Sequence, residues 1–342
     1  MSPRFASAVC ILLIVRWTQP NLLADGNVLV TMTQAVQTVF QNTKASVVKI
    51  RSTDKHGRCV GSGFFIDPNG TIYTTYAVAG ESENLTVEFG DRKYNATRLL
   101  ADPRSGIALI KVDASTPFLP IGKSKELSIA SPVVAVGFPM DLPVTPTLGF
   151  VGGFDLKYLN RYFTTTHIRA NVSVQRGESG APLINTQGEV VGILISGLDG
   201  GSACYALPIE AAEKIRSDYI RYGEVRHGWI GITVSGKTDE MGGSVAVIDK
   251  LDDATPASYS GIKKGDTLVR IGTVTITKPE DVLNGSFYLT AGENIPVEVI
   301  RDGQHLSFQV PAAEHPNSEK SRSARAVTKS DFGDNLSITT GN

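Results

Sequence analysis

The chain has 342 residues, enough for two domains that each bury a core of their own. Apolar residues make up 41% of it and charged residues 20%, which excludes a chain disordered throughout. With 33 basic against 34 acidic side chains the net charge is −1, so the positive excess that a phosphate backbone or an anionic lipid surface would call for is missing, and no nucleic-acid partner is expected.

Arg4 gives the start of the chain a short positive region, and Ala6 to Val15 forms an apolar run too short to cross a bilayer. Residues 1–24 are therefore read as a signal peptide cut after Ala24, with Leu22 a poor match to the small-residue rule at that site. The expected mature protein is periplasmic or secreted, without a membrane span. Cys10 leaves with the signal, and whether Cys59 and Cys204 pair does not follow from their spacing.

Thr33 is placed to cap a short helix whose Val36, Val39 and Phe40 share a face. Short strand-like runs follow at Val47 to Ile50, Phe64 to Ile66, Thr71 to Thr75, Leu85 to Phe89, Ile107 to Val112, Val133 to Val136, Phe163 to Arg169 and Val190 to Ile195. Turn residues such as Asp67-Pro68-Asn69-Gly70 separate them, the spacing of an antiparallel barrel or sandwich. A helix beginning at Pro208, with Ile209, Ala212 and Ile215 on one side and an end near Gly223, marks the domain boundary. Beyond it, strands at Gly228 to Val234, Ser244 to Asp249, Thr267 to Ile271, Ile295 to Arg301 and Leu306 to Val310 surround a helix from Pro279 that carries Val282, Leu283 and Phe287 on one face. The polar stretch 313–342 reads as a disordered tail.

Gly177-Glu178-Ser179-Gly180-Ala181-Pro182-Leu183 sets a serine between glycines just before a strand, a pattern that by itself is more often a surface turn than a nucleophile. Its context is more specific. Gly61 to Thr74, Asp102 to Lys111, Val136-Gly137-Phe138-Pro139 and Tyr205-Ala206-Leu207-Pro208, in that order around the serine turn, resemble segments of the HtrA/DegP-type serine proteases. His227-Gly228-Trp229-Ile230-Gly231-Ile232 and Ala254 to Asp266 resemble the PDZ module of the same family. The resemblance implies a mainly β fold: a trypsin-like double β-barrel over 25–223 followed by an α+β PDZ domain over 225–312.

In that family Ser179 would be the nucleophile, with the N–H groups of Gly177 and Ser179 as oxyanion hole. The general base would fall within Thr74-Thr75-Tyr76-Ala77-Val78, where Tyr76 is set at the His position, and the orienting Asp would fall on Gly106. A buried Tyr76 filling the space of the imidazole is the expectation. A serine hydroxyl is a weak nucleophile until a base takes its proton, and a tyrosine of pKa about 10 is only about 0.1% ionised at neutral pH. His56, ahead of the first hairpin, is the one imidazole with a route to the site. Asn171 and Ala181 depart from the family's Asp and Gly, which puts substrate positioning in doubt as well, and Gly272-Thr273 alters a turn of the PDZ module.

The resemblance implies that Trp229, Ile230, Gly231 and Ile232 receive a peptide's C-terminal carboxylate, with Ile230, Ile232, Val282 and Phe287 lining an apolar pocket. The expected partners are peptides or protein C-termini, with a homo-trimer or a mixed oligomer with active paralogues as the assembly. No cofactor is called for, and no His, Cys and carboxylate cluster has metal-ligand spacing. The reading is a proteolytically inactive scaffold, chaperone-like factor or regulator; the alternative is an active endopeptidase with a rearranged base.

Overall fold

The computed structural model describes residues 26–54, 57–238, 242–251 and 253–315. The signal peptide expected at 1–24, the loop residue His56 and the tail from 316 onward lie outside the described residues. Helix α1 (Gly26–Thr43) opens the structure. It starts well before the cap expected at Thr33, because nothing from Gly26 to Met32 breaks a helix and Val36 and Val39 bury the face that holds it to the body.

The next strands run antiparallel: β1 (Val47–Asp54), β2 (Gly57–Phe65), β3 (Thr71–Thr75), β4 (Asn84–Phe89), β5 (Arg92–Asn95), β6 (Thr97–Asp102) and β7 (Ile107–Lys111), in the order β5-β4-β1-β2-β3-β7-β6. Val48, Ile50, Phe65, Ile72, Val87 and Ile110 fill one core inside this sheet. Between β3 and β4 lies one helical turn, α2 (Tyr76–Ala79). A closed barrel follows, built from β8 (Pro132–Gly137), β9 (Thr145–Tyr158), β10 (Arg161–Ala170), β11 (Pro182–Ile184), β12 (Val190–Leu198) and β13 (Ala203–Pro208). β9 has no counterpart in the sequence reading. Its Pro146, Gly149, Gly152 and Gly153 depress strand propensity, and the strand exists because β8 and β10 pair with it on both sides.

Helix α3 (Ile209–Tyr222) follows the barrel and ends at Gly223, whose φ of 74° lets its N–H reach the Tyr219 carbonyl at 2.8 Å. The second module contains β14 (Gly228–Trp229), β15 (Ile232–Thr238), β16 (Ser244–Leu251), the helical turn α4 (Pro256–Tyr259), β17 (Thr267–Ile271), β18 (Val274–Thr275), α5 (Asp281–Phe287), β19 (Asn294–Arg301), β20 (Gln304–Pro311) and β21 (Ala313–Glu314). The strand expected over Gly228 to Val234 is broken at Ile230 and Gly231. The residues expected to open the tail form β21, which pairs with β14. Helix α5 starts at Asp281, two residues later than expected at Pro279, since the Asp281 carboxylate accepts the N–H groups of Thr277 and Lys278 at 2.9 and 3.1 Å and holds the preceding turn.

The two modules touch through polar contacts at their junction. Asp218 on α3 accepts the Thr290 hydroxyl at 2.9 Å, Asn284 on α5 accepts the Thr165 hydroxyl at 2.6 Å and the Thr166 N–H at 3.1 Å, and His227 Nε2 lies 3.0 Å from Asp102 Oδ1. Phe287 is wholly buried in the core of the first module. It therefore does not line a peptide pocket, as the sequence reading expected; it joins the modules, with His227 and Tyr288 as ring neighbours.

Candidate functional site

Ser179 sits where the second barrel meets the first sheet. Its carbonyl accepts the Ser62 N–H at 2.8 Å, and the following Gly180 N–H donates to Leu194 O at 2.8 Å. The Ser62 hydroxyl donates to Gly177 O at 2.7 Å and accepts the Phe138 N–H at 3.1 Å, so one buried serine ties the turn to the loop beside it. Gly177 has φ +95°, and a Cβ there would stand 2.3 Å from the Phe138 carbonyl oxygen. Only glycine fits.

These clamps decide where the N–H groups point. Arg176 O accepts the Met140 N–H, and since a peptide unit is planar and trans, the Gly177 N–H points to the opposite side. Among the described residues, neither Gly177 nor Ser179 donates its N–H to any partner. Both N–H groups are free to meet an acceptor from outside the turn. Behind it, Met140 (φ 51°) and Asp141 (φ 64°) are held in left-handed conformations, and Asp141 accepts Lys49 Nζ at 2.7 Å and Arg51 Nη2 at 2.8 Å. Lys49 and then Arg51 draw the Asp141 carboxyl down to about 2.

Glu178 points inward. Its Oε2 accepts the Gln175 N–H at 2.6 Å, whereas Oε1 is buried and has no partner among the described residues. Burial pushes its carboxyl above the usual carboxylate range.

The base side of the site is different. Ser179 Oγ lies 2.9 Å from Thr75 Oγ1. The Tyr76 phenol, set at the base position by sequence, is half-buried and donates to Glu81 Oε1 at 3.1 Å. The expected buried filler is thus not found: Tyr76 opens α2 half-exposed, with Val78 and Ala79 the buried residues of that turn. Thr74 is buried with its hydroxyl on Ser62 O at 2.8 Å, and Val78 is buried in the core of the first sheet. Ala77 alone in this segment is exposed. Gly106 accepts the Tyr76 N–H at 2.7 Å and has φ +77°, so backbone stands where an orienting carboxylate is expected.

In the second module Gly231 has φ +78°, and a Cβ there would come within 2.4 Å of Thr255 Cβ. Ile230 O accepts the Ala257 N–H at 2.9 Å, while the N–H groups of Ile230 and Gly231 have no partner among the described residues. β15 is the end strand of its sheet, so its outer edge is unpaired next to this loop. Ile230 is buried in the module's core, a correction to its expected place in the pocket wall; Ile232 and Val282 are half-buried against that core, and Trp229 meets the His315 ring.

Comparison with known proteins matches residues 61–193 to a trypsin-like peptidase domain and residues 228–311 to a PDZ domain. A probable periplasmic serine endoprotease, DegP-like, of Pseudomonas fluorescens is 30% identical over 279 residues, covering 78% of this chain and 58% of that protein. The Brucella suis protein of the same name is 28% identical over 309 residues, covering 85% and 60%. Among solved structures, a serine endoprotease from Yersinia pestis has a TM-score of 0.59 at 26% identity over 82% of this chain and 98% of its own. The HtrA-type protease AlgW with tripeptide has a TM-score of 0.67 at 21% identity, over 83% and 98%. The chain belongs to the HtrA family. It spans about three-fifths of the length of the curated relatives it matches.

Within this HtrA-type scaffold, sequence reasoning missed the residues that act through others. Ser62 and Thr75 lie inside recognised segments but had no role there, and the Lys49–Arg51–Asp141 cluster carries no motif; 92 residues separate Lys49 from Asp141, and only the fold joins them. Cys59 and Cys204 are both free, and burial pushes the Cys204 thiol up to about 12. Among the described residues no group of three or more His, Cys, Asp or Glu could hold a metal ion, and no helix is long and apolar enough to cross a membrane.

Proposed function

We propose that this HtrA-type chain holds peptides or protein C-termini without cutting them, as a scaffold, chaperone-like factor or regulator in the periplasm or outside the cell. The observation that carries the reading is the partner of Ser179 Oγ, which is a threonine hydroxyl. A second hydroxyl cannot accept the serine proton at neutral pH, and loss of one triad member in well-studied enzymes costs about 10⁴-fold or more in turnover. The named relatives are endoproteases; this chain departs from the family pattern at the base and at Gly106.

Binding falls to the PDZ loop. Unpaired N–H groups at Ile230 and Gly231 suit a terminal carboxylate, and the free edge of β15 suits an added strand, with Ile232 and Val282 beside it. The periplasmic names of the relatives and the apolar run Ala6 to Val15 support the location. Assembly into trimers or with active paralogues is part of the same reading, and exposed Leu148 and Phe150 on β9 supply apolar surface for it.

The test is unfolded casein with the purified chain. We expect hydrolysis at buffer background, and anisotropy titrations in which a peptide with a free carboxylate binds and its amidated form does not. Turnover lost in both Ser179→Ala and His56→Ala would restore the reading of an active endopeptidase with a rearranged base.

A further inference from the structure

We propose that the Ser179 turn is a second carboxylate receptor, which takes the C-terminal carboxylate of a polypeptide and holds it without chemistry. This goes beyond the PDZ reading and does not depend on it. The turn keeps its shape by contacts that do not involve a triad: Ser62 on the Ser179 and Gly177 carbonyls, Met140 on the Arg176 carbonyl, and Phe138 packed against Gly177. Lys49 and Arg51 in turn fix the Met140–Asp141 loop through the Asp141 carboxylate.

The donors left over select the ligand. The Gly177 and Ser179 N–H groups are unpaired, and the Thr75–Ser179 hydroxyl pair uses only one of its two protons internally, leaving the other for a guest. Three donors are therefore left over on Gly177, Ser179 and the Thr75–Ser179 hydroxyl pair. A peptide carbonyl offers one oxygen and no charge, enough for the N–H pair alone. A carboxylate offers two oxygens, one for the N–H pair and one for the hydroxyl, and hydrogen bonds to a charged acceptor are roughly twice as strong as neutral ones. Gly106 brings no carboxylate to the site, the turn itself carries exposed Arg176, and the one carboxylate of the turn, Glu178, points inward to the Gln175 N–H. An orienting Asp at 106 would repel the ligand that its absence admits.

The experiment uses the full chain, ¹⁵N-labelled, with Gly231→Val to weaken the PDZ loop, titrated with an extended peptide as free acid and as amide. Saturable movement of the Gly177 and Ser179 amide resonances is expected with the acid, at about tenfold lower concentration than with the amide. Thr75→Val, which removes only the hydroxyl, should weaken the acid several-fold and leave the amide unchanged. Gly177→Ala, which drives a methyl into Phe138 O, should abolish both responses; if that variant does not fold, Thr75→Val decides. Equal response to acid and amide, no movement at Gly177 and Ser179, or an unchanged acid response in Thr75→Val would each overturn the proposal. In the unmodified chain the Ile230 to Ile232 amides report the PDZ loop separately, so failure at one place is distinguishable from failure at the other.

Discussion

The turn at Gly177 and the loop at Gly231 present the same chemistry, unpaired N–H groups beside a glycine at positive φ, but different matter stands behind them. Gly177 packs against a backbone carbonyl, which cannot move without unseating the Phe138 loop; Gly231 packs against Thr255, whose Cβ no side-chain rotation displaces, so it yields only if the short turn α4 that Thr255 caps shifts. The first is held by hydrogen bonds from the first sheet, the closed barrel and the Phe138–Met140 loop, the second by one turn of its own module. On the proposed function, this difference is what lets the turn keep its geometry where the family's base and orienter are missing: it is built from main chain and buried hydroxyls, whereas they are single side chains that can be lost without unfolding anything.

The largest expected effect comes from giving the barrel turn its chemistry back. Ala77 is the exposed position in the segment expected to hold the base, while the Tyr76 side chain is directed to Glu81. We expect Ala77→His with Gly106→Asp to raise casein hydrolysis about 10²-fold over background, in the range of general base catalysis, and to lose it again with Ser179→Ala. Tyr76→His with the same partner should stay at background. The φ of +77° at Gly106 limits the gain, since aspartate tolerates the left-handed region better than most residues but not freely. If both double variants fold by circular dichroism and neither cuts, the substrate groove has degenerated with the triad, and the contrast between kept turn and lost base is too generous.

A smaller effect tests the other loop. Gly231→Val adds a β-branched side chain at φ +78° and forces Thr255 aside, so affinity for a free-acid peptide should fall roughly tenfold by anisotropy. Gly231→Ala should cost less, because a single methyl against Thr255 Cβ asks for a smaller shift of the α4 turn than a branched side chain does. Equal losses would mean that Thr255 is as rigid as the Phe138 carbonyl and that the two loops do not differ in the way described.

How much of this was visible in the chain alone depends on the range of the interaction. Strand β3 has its expected limits because Thr71 to Thr75 is a β-branched and aromatic run set off by the turn Asp67 to Gly70, and Gly223 ends α3 as its backbone requires. β9 was missed because three glycines and a proline mask a strand that only its neighbours create. At the site, Ser179, Gly177, Gly231 and Gly106 were legible as motif positions, whereas the direction of a side chain was not. Tyr76 was given the role of a buried filler and turned outward to Glu81; Phe287 was given to a pocket and went to the junction. Periodicity tells which face of an element is apolar, but not which of two neighbouring modules will cover it.

The smallest expected effect distinguishes the two loops by pH. Glu178 lies within the barrel turn, buried and with one oxygen unpartnered, while the Gly231 loop is backed by the uncharged Thr255. Because burial raises the Glu178 carboxyl above its unfolded value of about 4.3, its contribution to stability is complete below that pH and is lost as pH rises through the raised folded value. Glu178→Gln cannot ionise, so the decline in stability that Glu178 causes above about pH 4 should be absent in that variant, whatever constant offset the amide introduces. The same ionisation places a negative charge behind the Gly177 and Ser179 N–H groups. Carboxylate binding at the barrel turn should therefore weaken with rising pH in the unmodified chain, remain level in Glu178→Gln, and remain level at the PDZ loop in both. Melting curves and amide titrations across pH 4 to 8 read the two effects on one sample. A barrel-turn response to pH that persists in Glu178→Gln would assign it to another group, and a matching response at the PDZ loop would show that the two sites share a titrating residue rather than differ by one.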